Sequence, residues 1–158
     1  MAWTTTPWTL PSNTALTVGA KIKYSIISTF NQYTFEFINV IVANDLISKV
    51  FRGNYIQVNS NSNLIFNFKK DKKIPYLIQE SFFGKDLVNI KYEQLWDEAP
   101  LPYENPENAF RVIEGDFVTT EDGTGIVHTA PTFGADDAKV AKLANPPIPA
   151  LLIQDVNN

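Results

Sequence analysis

Cysteine is absent from this 158-residue sequence, and histidine occurs only once, at His128. Without cysteine the chain can form no disulfide scaffold, zinc knuckle or thiol nucleophile, and one histidine cannot build a histidine-rich metal site. Any catalytic chemistry in this chain must therefore use hydroxyl groups, carboxylates and one imidazole.

Long apolar runs are also missing. No stretch approaches the roughly 20 uninterrupted apolar residues that a membrane-spanning helix needs. The opening residues, Met-Ala-Trp-Thr-Thr-Thr, have neither the basic nor the apolar region of a secretion signal. We expect a soluble protein of the cytoplasm that has no membrane partner.

Basic residues are outnumbered by acidic ones. The chain has 13 lysines and arginines against 17 aspartates and glutamates, a net charge of −4 and a pI near 4.9. A protein that binds nucleic acid by itself normally needs a clustered basic surface for the phosphates. If the chain acts on a nucleic acid, we expect something outside this chain to hold most of it.

Length and composition indicate one domain. A chain of this length that is 44% hydrophobic and 13% aromatic can bury one ordinary core, but hardly two. We expect a single domain over residues 1–158 with its core at about 3–143. The abrupt Met-Ala start suggests a piece cut from a longer protein.

β-Branched and aromatic runs dominate the pattern and indicate strands. Strands are predicted at residues 24–28, 33–43, 55–58, 64–68, 110–113 and 125–128. Helices are predicted at 44–51 and 136–143, where capping or acidic residues stand in the first turn. The sum is an α+β, β-rich fold, expected as a barrel that hides its own strand edges.

Two polar segments, 59–63 and 69–73, are predicted as hairpin loops between strands. The second contains four lysines around Asp71. We interpret both as solvated turns, and contact of the lysines with phosphate groups is the alternative.

Residues 3–11 read Trp-Thr-Thr-Thr-Pro-Trp-Thr-Leu-Pro and are rich in threonine. This pattern is compatible with an edge strand that enters a proline turn. It also suits a rim of hydroxyl and free backbone N–H groups that holds a carbonyl oxygen or a water molecule.

Residues 123–131 read Gly-Thr-Gly-Ile-Val-His-Thr-Ala-Pro, so that two glycines precede a short apolar strand that ends in His128. The histidine is either a hydrogen-bonded structural residue or a catalytic group. The glycines match neither the dinucleotide-binding pattern nor the P-loop.

Asp136 and Asp137 begin the last predicted helix. One carboxylate suffices to satisfy the free N–H groups at the start of a helix. The other is then available to pair with the ammonium group of a ligand.

Taken together, residues 4–13 and 123–137 resemble the connective-peptide editing domain shared by the isoleucyl-, valyl- and leucyl-tRNA synthetases. The Thr-Thr-Thr-Pro-Trp-Thr-Leu-Pro-Ser-Asn form and the histidine at 128 are similar to the isoleucyl branch. Valyl and leucyl domains typically have Thr-Thr-Arg-Pro, with Lys or Met at the histidine position. The resemblance runs from Trp3 to about Lys142, although Asn89 and Gln94 stand where glycine and proline are usual.

The resemblance implies a β-barrel-like editing domain with a few short peripheral helices and no cofactor. The implied reaction is hydrolysis of Val-tRNA(Ile), the second stage of the double sieve for which isoleucyl-tRNA synthetase is itself the standard example. The implied partners are the 3′ end of tRNA(Ile) carrying a non-cognate amino acid and the rest of the synthetase. There are two alternatives: a valyl- or leucyl-type editing domain, and a module that only positions the tRNA end. The motifs His-x-Gly-His and Lys-Met-Ser-Lys-Ser of amino acid activation are absent.

The resemblance also implies residue roles. Asp137 binds the α-ammonium group and Asp136 caps the helix. The threonines line the site of the ester, the terminal adenosine and the attacking water. Trp8 and His128 shape the pocket for the amino acid side chain. The catalytic candidates are Asp137, Thr5, Thr6 and His128, and the binding candidates are Thr4, Trp8, Thr9, Asn13 and Asp136. The group that activates water is left open between His128, the threonine hydroxyls and the neighbouring ribose hydroxyl.

Overall fold

The structure, a computed structural model, describes residues 1–153. It contains the strands β1 (Ala15–Val18), β2 (Lys23–Phe30), β3 (Phe37–Ala43), β4 (Tyr55–Gln57), β5 (Ile74–Phe83), β6 (Arg111–Glu114) and β7 (Ile126–Thr129). The α-helices are α1 (Ile47–Val50) and α2 (Ala135–Leu143). Short 3-10 helices lie at Pro7–Ser12, Asn44–Leu46, Asn61–Asn63, Gly84–Leu87 and Pro106–Asn108. The α+β, β-rich class expected from the sequence is confirmed.

One sheet has three short strands in the order β6-β1-β7. The central strand β1 runs parallel to β6 and antiparallel to β7, with Leu16 opposite His128. On the other edge of β7, Trp3 forms an isolated parallel bridge with Val127. The N-terminal segment therefore starts beside one edge of β7 and returns as β1 on the other.

The second sheet has four strands in the order β3-β2-β5-β4. β2 pairs antiparallel with both β3 and β5, and the β2–β5 register shifts between Ser25 and Ile27, as at a bulge. The edge strand β4 runs parallel to β5. In the part of the chain that the structure describes, the strands form these two sheets and not one closed barrel.

Two local predictions are wrong. Residues 64–68 form no strand, because their aromatic side chains pack into a cluster with the β2–β3 hairpin while their backbone finds no neighbouring strand. The segments 59–63 and 69–73 do not close a hairpin, since β4 and β5 on either side of them run parallel. A parallel pair needs a long crossover connection.

Tyr24 ties the two sheets together. Its side chain is fully buried within the larger hydrophobic core. The hydroxyl group donates to the carbonyl oxygen of Gly125 at 2.6 Å and accepts from the N–H of Gly19 at 3.1 Å. Gly125 precedes β7 and Gly19 follows β1, so a side chain of the four-stranded sheet holds the backbone at the ends of two strands of the other sheet.

Helix α2 packs on the three-stranded sheet through a second, smaller core. Val140 and Ala141 of the helix lie against Ala15 and Ile113, and Ile148 joins them from the segment after the helix. This packing fixes the first turn of α2 near the end of β7. None of the described helices has the length and apolar character that crossing a membrane requires.

Candidate active site

The threonine-rich segment forms an arch around the end of β7. The N–H of Trp3 donates to the carbonyl oxygen of Ile126 at 2.9 Å. The N–H of Thr14 donates to the carbonyl oxygen of Thr129 at 3.2 Å. Between these anchors the chain forms the 3-10 helix Pro7–Ser12, which begins with proline. Proline suits this position because its missing N–H would have no partner within the helix.

Three threonine hydroxyls of the arch lie in one row. The Thr4 hydroxyl accepts the N–H of Thr6 at 3.0 Å, and the hydroxyl oxygens of Thr4 and Thr6 are 3.4 Å apart. The Thr6 hydroxyl is 3.3 Å from that of Thr9, and the Thr9 hydroxyl donates to the Thr6 carbonyl oxygen at 2.8 Å. The row leads from the half-buried Thr4 to the buried Thr9.

His128 lies at the inner end of this row, where the side chain of Asn13 determines which ring nitrogen carries the proton. The Asn13 amide nitrogen is 2.8 Å from the carbonyl oxygen of Ala15 and 2.8 Å from His128 Nδ1. A carbonyl oxygen can only accept, so this atom is the NH₂ group of Asn13 and it donates to Nδ1. The proton of the neutral imidazole is therefore on Nε2.

The Nε2 proton is donated to the Thr9 hydroxyl at 2.9 Å. The hydroxyl can accept it because its own proton is directed to the Thr6 carbonyl oxygen. Burial lowers the pKa of His128, which favours the neutral ring. Both ring nitrogens are thus engaged by side chains of the chain itself.

Tyr92 completes the hydrogen-bond network from the opposite side. Its hydroxyl donates to the Asn13 amide oxygen at 2.5 Å, and burial raises the Tyr92 pKa well above its usual range. Sequence reasoning missed this contact, because Tyr92 lies outside any predicted element and no local pattern pointed to its partner. Its identification depends on the folded structure.

Asp137 lies in the first turn of α2, close to the end of β7. One carboxylate oxygen accepts the N–H of Ala130 at 2.8 Å. The side chain is half-buried, and burial raises its pKa while the Ala130 hydrogen bond opposes that shift. The other oxygen accepts no hydrogen bond from the residues that the structure describes and remains available to a ligand.

Besides Asp137, three candidates lie outside the hydrogen-bond network around His128. Trp8 is 72% exposed, and Thr5 lines a separate cavity together with Trp3 and Thr124. Asp136 is exposed and lines a different cavity beside Arg111. The N-cap residue of α2 is Gly134, which has no capping side chain, so Asp136 contributes its charge near the helix N-terminus and not the expected capping bond.

The arrangement can position groups but offers no free imidazole base. A cation can pair with Asp137, and the threonine row can orient a water molecule or a carbonyl oxygen. Across residues 1–153, no three His, Cys, Asp or Glu side chains cluster as metal ligands.

The chain is similar to one segment of much longer proteins. It is 56% identical over 156 residues to the isoleucine–tRNA ligase of Cytophaga hutchinsonii, which covers 98% of this chain and 13% of that protein. The chain belongs to the isoleucine–tRNA ligase family. The ligases of Bacteroides fragilis and Picrophilus torridus are 51% and 43% identical over 93% and 90% of the chain. The chain spans about an eighth of the length of these family members, and no family model matches it.

The fold has a counterpart among solved structures. The crystal structure of GlLeuRS-CP1 superposes with a TM-score of 0.56 at 21% identity, over 89% of this chain and 42% of that one. This isoleucine–tRNA ligase segment therefore has the fold of a leucyl-tRNA synthetase CP1 unit.

Asn89 and Gln94, where the resemblance leads us to expect glycine and proline, make local contacts of their own. Asn89 has φ +70, a left-handed conformation that glycine or asparagine adopts most easily. Its amide oxygen accepts from the buried Arg111 at 2.6 Å. Gln94 uses its NH₂ group to bind the carbonyl oxygens of Ala99 and Pro100, both at 3.2 Å.

Proposed function

We propose that this chain is an editing domain that hydrolyses the ester of mischarged Val-tRNA(Ile) within an isoleucyl-tRNA synthetase. The observation that carries the proposal is Asp137, which is half-buried, held through one oxygen by Ala130 and open at the other. Its charge also acts on His128, whose pKa it raises against the effect of burial. The resemblance to isoleucyl editing domains supports the same assignment.

Asp137 would bind the α-ammonium group of the amino acid. A charge-assisted hydrogen bond between an ammonium group and a carboxylate is about twice as strong as a neutral one. Because burial raises the pKa of Asp137, a bound cation would also favour its ionised form. The fixed oxygen gives the anchor a defined direction.

The threonine row would hold the ester and the water. Water attacks the carbonyl carbon, the bond from that carbon to the ribose oxygen breaks, and the ribose oxygen takes up a proton. Thr6 of the row, and Thr5 next to it in the sequence, would act at the reacting atoms, while Thr4, Thr9 and Asn13 would support them. His128 would act by position and shape, since both of its ring nitrogens are engaged, with Trp8 as the outer wall of the side-chain pocket.

The proposal includes the setting of the domain. The chain would form one domain, with a core at about 3–143, of a larger synthetase in the cytoplasm. Its partners would be the 3′ end of tRNA(Ile) and the rest of the synthetase.

The decisive experiment compares deacylation of Val-tRNA(Ile) and Ile-tRNA(Ile) by the full-length synthetase. Asp137→Ala should slow hydrolysis of the valyl ester by about 10- to 150-fold, the equivalent of one hydrogen bond to a charged group. Asp97→Ala, which removes an exposed carboxylate from a turn, is the matched control and should leave the rate unchanged. Unchanged hydrolysis in Asp137→Ala would contradict the ammonium-binding role, and equal hydrolysis of both substrates would contradict the sieve.

A second candidate is a module that positions the tRNA end without hydrolysing it. The observation that favours it is the engagement of both nitrogens of His128, which leaves no free imidazole base. In that case neither the wild-type synthetase nor the Asp137 variant would hydrolyse the valyl ester.

A further inference from the structure

The positive charge of this acidic chain is concentrated between residues 49 and 73. That stretch has six cationic side chains and one anionic one, a net +5, whereas the whole chain carries −4 and the remainder therefore −9. All six are exposed: Lys49, Arg52, Lys69, Lys70, Lys72 and Lys73. The one acidic residue is Asp71, whose carboxylate accepts a hydrogen bond from the N–H of Asn67 in the same turn at 2.7 Å.

The parallel pairing of β4 with β5 brings the two ends of this stretch close together. Tyr55 is opposite Ile74, and the N–H of Ile74 donates to the carbonyl oxygen of Asn54 at 2.7 Å. Lys73 therefore lies beside Asn54, close in sequence to Arg52 at the end of α1. We call the six cationic residues the basic strip.

An exposed aromatic surface adjoins the basic strip. The rings of Phe35 and Phe68 stack at 4.9 Å with their planes 6° apart, and Phe66 packs against Phe35 at 5.9 Å. Phe35 and Phe68 are 41% and 55% exposed, and Lys69 Nζ lies 5.8 Å from the centre of the Phe68 ring. Phe35 has φ +60, an uncommon conformation for a bulky residue. Exposed apolar surface of this kind marks binding sites.

A cavity connects the basic strip with the threonine arch. The cavity has a volume of about 720 Å³, and its lining includes Lys49 and Arg52 as well as Trp3 and Thr5. A ligand that contacts Lys49 or Arg52 at this end of the strip can therefore also contact Trp3 and Thr5 of the arch.

We propose that the basic strip and the Phe35–Phe68 pair bind the single-stranded acceptor end of the tRNA that carries the ester. Lysines that neutralise phosphates supply sequence-independent affinity. Unpaired bases stack on exposed aromatic rings, which paired bases in a duplex cannot do. The negative charge of the rest of the chain directs an RNA strand to this one surface. The inference rests on the proposed editing function, because that function requires a tRNA end.

The test uses the full-length synthetase with two substrates, Val-tRNA(Ile) and the valyl ester of adenosine, which has no phosphate. Lys70→Glu/Lys72→Glu/Lys73→Glu should raise KM for the tRNA substrate at least about tenfold and leave kcat unchanged. The slope of log KM against log salt should flatten by about 2, since each lost phosphate contact on a single strand contributes about 0.7. Phe68→Ala should raise KM at least about fivefold through the loss of one stacked base. Neither variant should change hydrolysis of the adenosine ester.

The matched control reverses three exposed lysines elsewhere, Lys21→Glu/Lys85→Glu/Lys142→Glu, and should retain the wild-type KM. If the wild-type enzyme hydrolyses the adenosine ester while the strip variant keeps its KM for tRNA, the inference is wrong and the editing function stands. If the wild-type enzyme hydrolyses neither substrate, the editing function itself fails. A strip variant that loses thermal stability without a change in KM would show that another part of the protein covers this surface.

Discussion

Thr9→Val isolates one hydrogen bond of the network around His128. Valine has nearly the shape of threonine, so the substitution leaves no cavity but removes the hydroxyl that accepts the Nε2 proton at 2.9 Å. The Thr6 carbonyl oxygen loses the Thr9 hydroxyl as a donor but keeps the backbone N–H of Thr9 at 3.0 Å. The Thr6 hydroxyl loses its contact with Thr9 at 3.3 Å but keeps Thr4 at 3.4 Å. The buried N–H of His128 is therefore the one group left without any partner.

The expected cost is that of one buried unsatisfied donor, about 1–3 kcal/mol. For a chain of this size that lowers the Tm by roughly 2–12 °C, at about 2–4 °C per kcal/mol. Thr9→Ser is the matched control, because it keeps both hydrogen bonds and removes only a methyl group, at about 0.8 kcal/mol. Calorimetry at neutral pH should rank the wild type above Thr9→Ser, and Thr9→Ser above Thr9→Val.

Nitrogen NMR of the imidazole tests the same network independently. The wild type should show a proton on Nε2 and none on Nδ1 of His128, and Thr9→Val should keep that tautomer because Asn13 still donates to Nδ1. A Thr9→Val protein as stable as the wild type, or a proton found on Nδ1, would refute the assigned direction of the hydrogen bonds.

Three further predictions concern stability. Gly125→Ala should lower the unfolding free energy by at least about 2 kcal/mol, because its φ of +76 strains any side chain and the new Cβ would lie 2.5 Å from the Ala43 Cβ. Gly53→Ala, at φ +67 but with no neighbour within 4 Å, should lower it by about 1 kcal/mol. Calorimetry that finds equal losses would contradict this ranking. Thr14→Val should raise the Tm by about 2–4 °C, since the buried Thr14 hydroxyl has no partner among the described residues. Burial lowers the pKa of His128 in the folded protein, so the unfolded chain binds this proton at a higher pH than the folded chain does. The unfolding free energy should therefore decline by up to about 1.4 kcal/mol per pH unit as the pH falls below about 6.5. His128→Gln should lessen that decline in a pH series of Tm values.

The parts of the fold that the sequence predicted are those with strong local patterns. The strand before His128 and the helix that begins near Asp137 were both predicted, and they form β7 and α2. Because the two elements are joined by a short connection, their motif residues could only lie close together. The contacts of His128 with Thr9 and Asn13 are different, since they join residues more than a hundred positions apart. Family resemblance grouped these residues, and local pattern did not.

The longest strand, β5, escaped prediction for a physical reason. Its first four residues are buried and most of the rest are exposed. β4 pairs only with the first three residues of β5, and β2 pairs with residues from Leu77 to Phe83. Such a strand shows no alternation of apolar and polar residues, and Pro75 further disguises it. Residues 64–68 show the opposite case, in which a clear alternation serves an aromatic cluster and not a sheet.

The hydrogen bonds of Tyr24 limit how the molecule can move. Its hydroxyl joins the two sheets at 2.6 Å and 3.1 Å, so an opening of about 1 Å between the sheets would break both bonds inside a buried core, where lost hydrogen bonds are costly. The proposed RNA-binding surface and the threonine arch would therefore keep a fixed separation. The distance from the last base contact to the ester would then be set by the fold, and a tRNA end one nucleotide too short or too long would place its ester out of reach.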